Sequence, residues 1–271
     1  MISAFRNTPA VLLALLVLLC LLAPVLPLHD PVAVSVAERF AGPSFAHPLG
    51  RDEYGRDLMS RLVWALRSAV FIAASSAFLA SVVGTALGVI GGYVRGLTEI
   101  FTMRGMDVIL CFPPLLLAML AVTLYGPGPV TLIPVLGLVF VPSFTRVAHA
   151  SVLTVRSHEY VEAARGMGMG AGRIMLHTIL PNIVGPLIVQ FSFVMAMTVV
   201  LESGLSFLGL GVLPPAPSLG LMIGAGRATL AQAPMLLVWP CLLLTLLILV
   251  LNAFCDRLRD HFDPRSASGS N

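Results

Sequence analysis

Between Asp107 and Arg146 the chain reads VILCFPPLLLAMLAVTLYGPGPVTLIPVLGLVFVPSFT, residues 108–145 without one formal charge. A hydrocarbon core of about 30 Å takes about 20 apolar residues in a helix. The stretch is therefore long enough for two crossings. Near its middle stands Tyr125-Gly126-Pro127-Gly128-Pro129. Proline removes a backbone donor and glycine frees the backbone, so a tight turn between two membrane helices is expected there.

Working outward, the same signal recurs. Ala10 to Leu28 is a first span, Ser68 to Val94 a second, Thr178 to Leu201 a fifth, and Ala228 to Cys255 a sixth that Pro234 and Pro240 interrupt. The reading is an all-α integral membrane protein of six transmembrane helices. Composition agrees: 58% of residues are hydrophobic and 11% charged, with a mean hydropathy of +0.96, far from a soluble domain. Arg6 before an apolar run is also how a signal peptide begins. This run is long for one and no Ala-x-Ala site follows, so a retained helix is expected. Gly84 and Gly88 form a small-xxx-small face on the second span, expected to serve packing within the subunit more than a dimer contact.

The arginines set the orientation, because cytoplasmic loops carry the excess of basic residues. With the N-terminus inside, ten arginines fall inside and six outside, and both termini are expected in the cytoplasm. Five of the outer six lie in the first loop with five acids, so that loop has no net charge. It also carries Leu58, Leu62 and Leu66 at helical spacing, which predicts an amphipathic helix on the outer membrane surface. Ser203 to Gly226 is uncharged too. Its Gly209, Gly211, Pro214, Pro215 and Pro217 argue for a loop dipping towards a protein-lined cavity, not a seventh span.

Other chemistries find little support. All 16 basic residues are arginine, so a Gly-x-x-x-x-Gly-Lys-Ser/Thr phosphate loop cannot occur in this chain. Gly166-Met167-Gly168-Met169-Gly170 follows no strand and is weak as a nucleotide loop. A net charge of +3 does not suggest nucleic acid. The four cysteines are scattered without a Cys-x-x-Cys pair, and His149, His158 and His177 lack metal-ligand spacing on one helix face. No catalytic, cofactor or metal residue is expected here.

The segment that points to a function follows the fourth span. Tyr160, Ala163, Ala164, Met167 and Ala171 fall at i, i+3, i+4, i+7 and i+11, while Glu159, Glu162 and Arg165 face elsewhere. Small residues let a partner approach closely, and Gly168 permits the turn that ends the helix. The same pattern fits an amphipathic connector lying on the membrane.

Glu162-Ala163-Ala164, then Gly168, then Leu180-Pro181-Asn182 resembles the EAA loop of bacterial ABC importer permeases, with Thr178 where isoleucine is usual. Three more segments resemble the C-type permease of the dipeptide/oligopeptide/nickel importer family. His47 to Asp57 is one, with Arg51 where threonine is common; Glu202 to Gly211 with Pro214 to Ser218 is another, with Leu219 where tryptophan is usual. Asn252 to Arg265 is the third, with Cys255 where glycine is frequent. Together these segments span nearly the whole chain in the family's order.

The resemblance implies a type I ABC importer permease fold in the bacterial cytoplasmic membrane, divided into an N-terminal region 1–67 and a permease domain 68–271 whose coupling loop covers about 151–181. It implies that Glu162, Ala163, Ala164, Gly168, Leu180 and Pro181 engage an ATPase subunit, and that no ATP chemistry resides in this chain. The implied partners are a homologous B-type permease, two ATP-binding cassette subunits carrying ATP and Mg, an extracytoplasmic solute-binding protein and membrane lipid. Short peptides are the implied cargo, with nickel or a metal chelate as the alternative. Glu202, Phe207 and Arg227 are candidates for an outer vestibule or gate, a structural ion pair between Glu202 and Arg227 being the other reading. From another class, a membrane scaffold without transport would share the helices and the loop.

Overall fold

The computed structural model describes residues 8–262, so Arg6 and the Asp263-Pro264-Arg265 segment lie outside the described residues. Among these residues the protein is helical, with one isolated antiparallel bridge between Arg51 and Asp57. Besides a short 3-10 turn at Val36–Glu38, nine helices follow in order among the described residues: α1 Thr8–Leu22, α2 Leu58–Val94, α3 Leu97–Leu110, α4 Pro114–Tyr125, α5 Pro129–Val155, α6 Glu159–Gly166, α7 Ala171–Phe207, α8 Leu219–Ala228 and α9 Met235–Phe262.

Among the described residues four of the six expected spans are long, apolar, unbroken helices, α2, α5, α7 and α9; the bent pair α3 and α4 makes at most a fifth, and α1, at 15 residues, is an apolar helix shorter than a span. Helix α1 stops at Leu22, short of the expected Leu28, because Pro24 has no N–H to extend the ladder and restricts Ala23 before it. The third span is bent. Helix α3 turns by 81° into α4 across Cys111-Phe112-Pro113, where Pro113 and Pro114 follow each other and cannot continue a straight helix. The glycine and proline turn at 126–128 separates α4 from α5 as expected, with Gly126 and Gly128 at positive φ.

The expected surface helix in the first loop is corrected by the structure. Leu58, Leu62 and Leu66 begin α2 itself, a single helix of 37 residues. At 1.5 Å per residue that is about 55 Å, against about 30 Å of hydrocarbon. Its first turns must stand outside the apolar layer, which explains how Arg61 and Arg67 can sit on a membrane helix. The apolar stripe faces a protein core, where it meets Cys20, Val199, Leu219, Leu247 and Leu251.

The chain forms two compact units. One comprises the chain up to Ala74 with Met119–Ile133 and Met195–Phe254, and its core is the cluster just described. The other comprises Ser75–Ala118, Pro134–Val194 and the chain from Cys255. Its core joins Val89 of α2 and Val152 and Val155 of α5 to Val161, Ala164, Ile174, Ile179 and Ile183.

Within this second unit the small-residue face of α2 is used for helix packing inside the chain. A Cβ on Gly84 would lie 2.5 Å from Phe144 Cβ and 2.7 Å from the Val141 carbonyl; one on Gly88 would lie 2.5 Å from the Thr145 carbonyl. Gly92 faces Val152 one turn further on. The contacts at 84 and 88 include backbone, which cannot step aside, so added carbon there carries an overpacking cost of about 1–3 kcal/mol. A hydrogen bond and an ion pair fix α3 to α5: Glu99 with His149 Nε2 at 2.9 Å and Asp107 with Arg146 at 2.8 Å.

Candidate functional site

Helix α6 is eight residues long and opens with Glu159 and Glu162 in its first turn and Arg165 in its last, the order that its dipole favours. It ends in a Schellman motif. The Gly168 N–H donates to the Arg165 carbonyl at 2.9 Å and the Met169 N–H to the Ala164 carbonyl at 3.2 Å, with Gly168 at φ +77°. Glycine is required here by the left-handed backbone, since nothing stands within 4 Å of where its Cβ would be.

The structure divides the small-residue face expected from the spacing. Val161 and Ala164 turn inward to the cluster of Val89, Val152, Ile174 and Ile179. Tyr160, Ala163 and Met167 are exposed, as are Glu162 and Gly168. Ala164 therefore belongs to the anchor of the helix, and Tyr160, Ala163 and Met167 form its free side. Periodicity gave too wide a stripe because the sequence does not tell an inward small residue from an outward one.

Two cationic contacts tie this loop to the end of α2. Arg165 Nε donates to the Tyr93 hydroxyl at 3.3 Å with its guanidinium 4.9 Å from the ring centroid, and Arg156 Nη1 donates to the Gly92 carbonyl at 3.3 Å. Sequence reasoning missed Tyr93, which no local pattern marks. Beyond α6, Leu180 is half-buried against the same core, and Pro181 is exposed. Pro181 has no N–H to offer the carbonyl one turn back, and α7 widens into a π turn over Met175–Ile179, where the Leu180 N–H donates to the Met175 carbonyl. Asn182 Nδ2 donates to the Thr178 carbonyl at 2.6 Å and secures that turn.

At the other end of α7 the Glu202 carboxylate is fully buried and holds three hydroxyls. Ser206 Oγ donates at 2.7 Å, Ser203 Oγ at 3.3 Å and Ser218 Oγ at 3.4 Å. The Val212 N–H donates in turn to Ser206 Oγ at 3.3 Å, so one carboxylate fastens both ends of the 208–218 loop. Gly220 of α8 lies so close to the Ser203 carbonyl and the Phe207 N–H that a side chain there would collide with both. Phe207 is partly exposed, and Arg227 is exposed. Among the described residues no ion pair joins Glu202 to Arg227, which removes that reading of the two charges.

The balanced charge of the first loop is an internal network. Asp52 Oδ1 accepts the Tyr54 and Arg56 N–H groups, both at 2.9 Å, while Oδ2 takes Arg56 Nε at 2.7 Å and Arg61 Nε at 3.2 Å. Arg51 Nη2 lies 2.7 Å from Glu38 and 2.7 Å from His47 Nε2. Because arginine can only donate, the His47 proton sits on Nδ1 and goes to Asp57 Oδ1 at 2.9 Å. Asp57 Oδ2 accepts the Ser60 N–H at 2.8 Å, which caps α2. Burial would raise the Asp57 carboxyl, but the Ser60 hydroxyl and N–H and the His47 ring outweigh it and hold it below its ordinary value.

His29, His47 and Asp57 bring three ligand atoms within 4.8 Å of one another, a grouping the spacing of the histidines did not suggest. Both nitrogens of His47 are committed to Arg51 and Asp57, and a bound cation would face the Arg51 guanidinium. His47 and Asp57 act as a hydrogen-bonded clasp of the loop, with the His29 ring centroid 4.4 Å from that of His47.

Comparison with known proteins follows the same lines. The family model described as "Binding-protein-dependent transport system inner membrane component" matches residues 84–268. The dipeptide transport system permease protein DppC of Alkalihalophilus pseudofirmus is 33% identical over 252 residues, 93% of this chain and 83% of the relative. The di/tripeptide transport system permease protein DppC of Pseudomonas aeruginosa is 37% identical over 80% of this chain and 72% of its own length. The glutathione transport system permease protein GsiD of Pectobacterium atrosepticum is 35% identical over 84% and 75%. Among solved structures, the MetNI methionine ABC transporter in inward-facing conformations aligns with a TM-score of 0.62 at 18% identity, covering 76% of this chain and 98% of that one. An amino acid ABC transporter aligns with a TM-score of 0.54 at 13% identity, over 75% and 95%. These two likenesses carry the fold.

Proposed function

Because the chain belongs to the binding-protein-dependent transport system inner-membrane component family and is a permease subunit of an ABC importer, we propose that it forms half of a path carrying short peptides across the bacterial cytoplasmic membrane. The observation that carries this is a match over 93% of the chain to a dipeptide permease, joined to a loop helix whose free side is Tyr160, Ala163 and Met167. The other half of the path is a homologous B-type permease. Two ATPase subunits hold ATP and Mg, and one of them seats α6 by way of Ala163, Glu162 and the Gly168 turn. A solute-binding protein delivers cargo at the opposite face. ATP-driven closure of the ATPases then moves α6, and the permeases alternate between two rigid arrangements.

The direct test places this chain, its partner permease, the two ATPases and the binding protein in proteoliposomes. ATP-dependent accumulation of a labelled dipeptide is expected. Accumulation that is absent with ATP, or equal without it, would defeat the proposal.

Orientation is checked separately on a cysteine-free background. Ser157→Cys, in the loop before α6, should react with an impermeant reagent only after permeabilisation, whereas Ser44→Cys reacts in intact cells. Labelling of position 157 from outside would reverse the topology.

A further inference from the structure

The ion-pair network around Asp52 borders a cavity of about 500 Å³. Small-molecule sites have about 300–1,000 Å³ and combine apolar walls with a few fixed polar groups. Asp52, Glu53, Arg56 and Arg61 line one part of this cavity. Leu221, Met222 and Leu236 give it an apolar wall.

The two arginines are almost removed from solvent, with side chains 10% and 7% exposed. Arg56 is gripped along one edge and Arg61 from two sides. Arg56 donates from Nε to Asp52 at 2.7 Å and from Nη2 to Glu53 at 3.1 Å; Arg61 lies with Nε 3.2 Å from Asp52 and donates from Nη1 to the Pro31 carbonyl at 3.0 Å. The remaining terminal nitrogens, Arg56 Nη1 and Arg61 Nη2, have no partner among the described residues. Asp52 meanwhile accepts three hydrogen bonds and lies in an ion pair with Arg61, so both its oxygens are engaged. Two preset guanidinium groups thus offer open donors beside an acid already engaged, an arrangement suited to an added carboxylate.

We propose that this cavity binds the C-terminal carboxylate of a short peptide, held by Arg56 and Arg61, with the peptide's apolar side chains along Leu221, Met222 and Leu236. The choice of a peptide over another carboxylic acid rests on the permease reading above. A free peptide is favoured over an acidic side chain of a docked protein because the apolar wall continues past the arginines and calls for a body larger than one carboxylate.

The test uses the complete permease and ATPase complex in lipid nanodiscs, without binding protein, and a labelled dipeptide of two apolar residues. Saturable binding is expected, at least tenfold weaker for the same dipeptide amidated at its C-terminus. Arg61→Gln should weaken it to a similar degree. Because that change could disturb the loop, Ala225→Phe, which narrows the cavity from a lining position that takes no part in the ion pairs, should do the same. Equal binding of acid and amide, or unchanged binding in Ala225→Phe, overturns the proposal. So does a wild-type complex that binds no dipeptide while Ala225→Phe loses its response to binding protein, which would make the cavity a protein socket. If wild-type proteoliposomes import dipeptide but the bare complex binds none, the cavity assignment fails and the permease reading stands. Binding without ATP-dependent import would have the opposite meaning.

Discussion

Ala163→Arg is expected to leave the membrane helices folded and to abolish ATP-driven transport, whereas Ala164→Arg, one residue on, is expected to prevent the loop from folding. The difference follows from burial. Ala163 is exposed on the free side of α6, and Ala164 is 4% exposed among Val89, Val152, Val161 and Ile174. A large cation on the free side obstructs a close interface, with a loss of about 2–4 kcal/mol as for a disrupted hot spot. That is about 30-fold to 1,000-fold in affinity for the ATPase subunits. An unpaired charge forced into an aliphatic cluster belongs among the changes that cost more than about 4 kcal/mol. Co-purification of the ATPases and binding-protein-stimulated ATP hydrolysis in lipid read the first effect; limited proteolysis of the loop reads the second. Gly168→Asp should cost the least of the three, since its left-handed backbone costs a side-chain-bearing residue about 1–2 kcal/mol and nothing crowds the position. Wild-type stimulation and uptake in Ala163→Arg would reduce α6 to a surface connector.

Glu202→Ala carries the second large effect. The substitution strips the acceptor from Ser203, Ser206 and Ser218, all of them buried. A buried hydroxyl left without its partner costs about 1–3 kcal/mol, and the three share one acceptor. The 208–218 loop should detach before α7 or α8 unfolds, so protease cleavage within it should quicken at least tenfold while the purified complex keeps its helical content. Glu202→Gln keeps an oxygen for Ser206 and should stay within about threefold of the wild type. Equal protection of the loop in all three proteins would mean that the serines hold it without the carboxylate.

Much of this architecture is legible in the residues because lipid imposes a simple code: length without charge means a span. Positions 108–145 announce two helices and the turn between them, and the glycines at 84 and 88 announce a close helix contact. The code weakens where charge and apolarity mix. Leu58, Leu62 and Leu66 give the same periodicity whether they face lipid or protein, so the surface helix expected there proved to be the opening of α2. The 81° bend at Pro113 was hidden because an apolar run carries no record of its direction. At the loop helix, the glycine cap could be foreseen from Gly168, but the division between Ala163 and Ala164 depends on Tyr93, Val152 and Ile179, which lie far away in sequence. The Asp52 network was visible as five acids against five arginines and as nothing finer, since pairing is a property of the folded loop.

The contact between α2 and α5 has a mechanical meaning. Gly84, Gly88 and Gly92 recur at intervals of four and bring α2 against Val141, Thr145, His149 and Val152. Two rods meshed this tightly cannot roll or slide past each other without a collision at every tooth. Arg156 bonds the Gly92 carbonyl at the last tooth and Arg165 grasps Tyr93 just beyond it. On the coupling proposed for α6, a thrust there would arrive at a keyed couple instead of a lone helix, and the tightness of that couple is set by three residues that have no side chain at all.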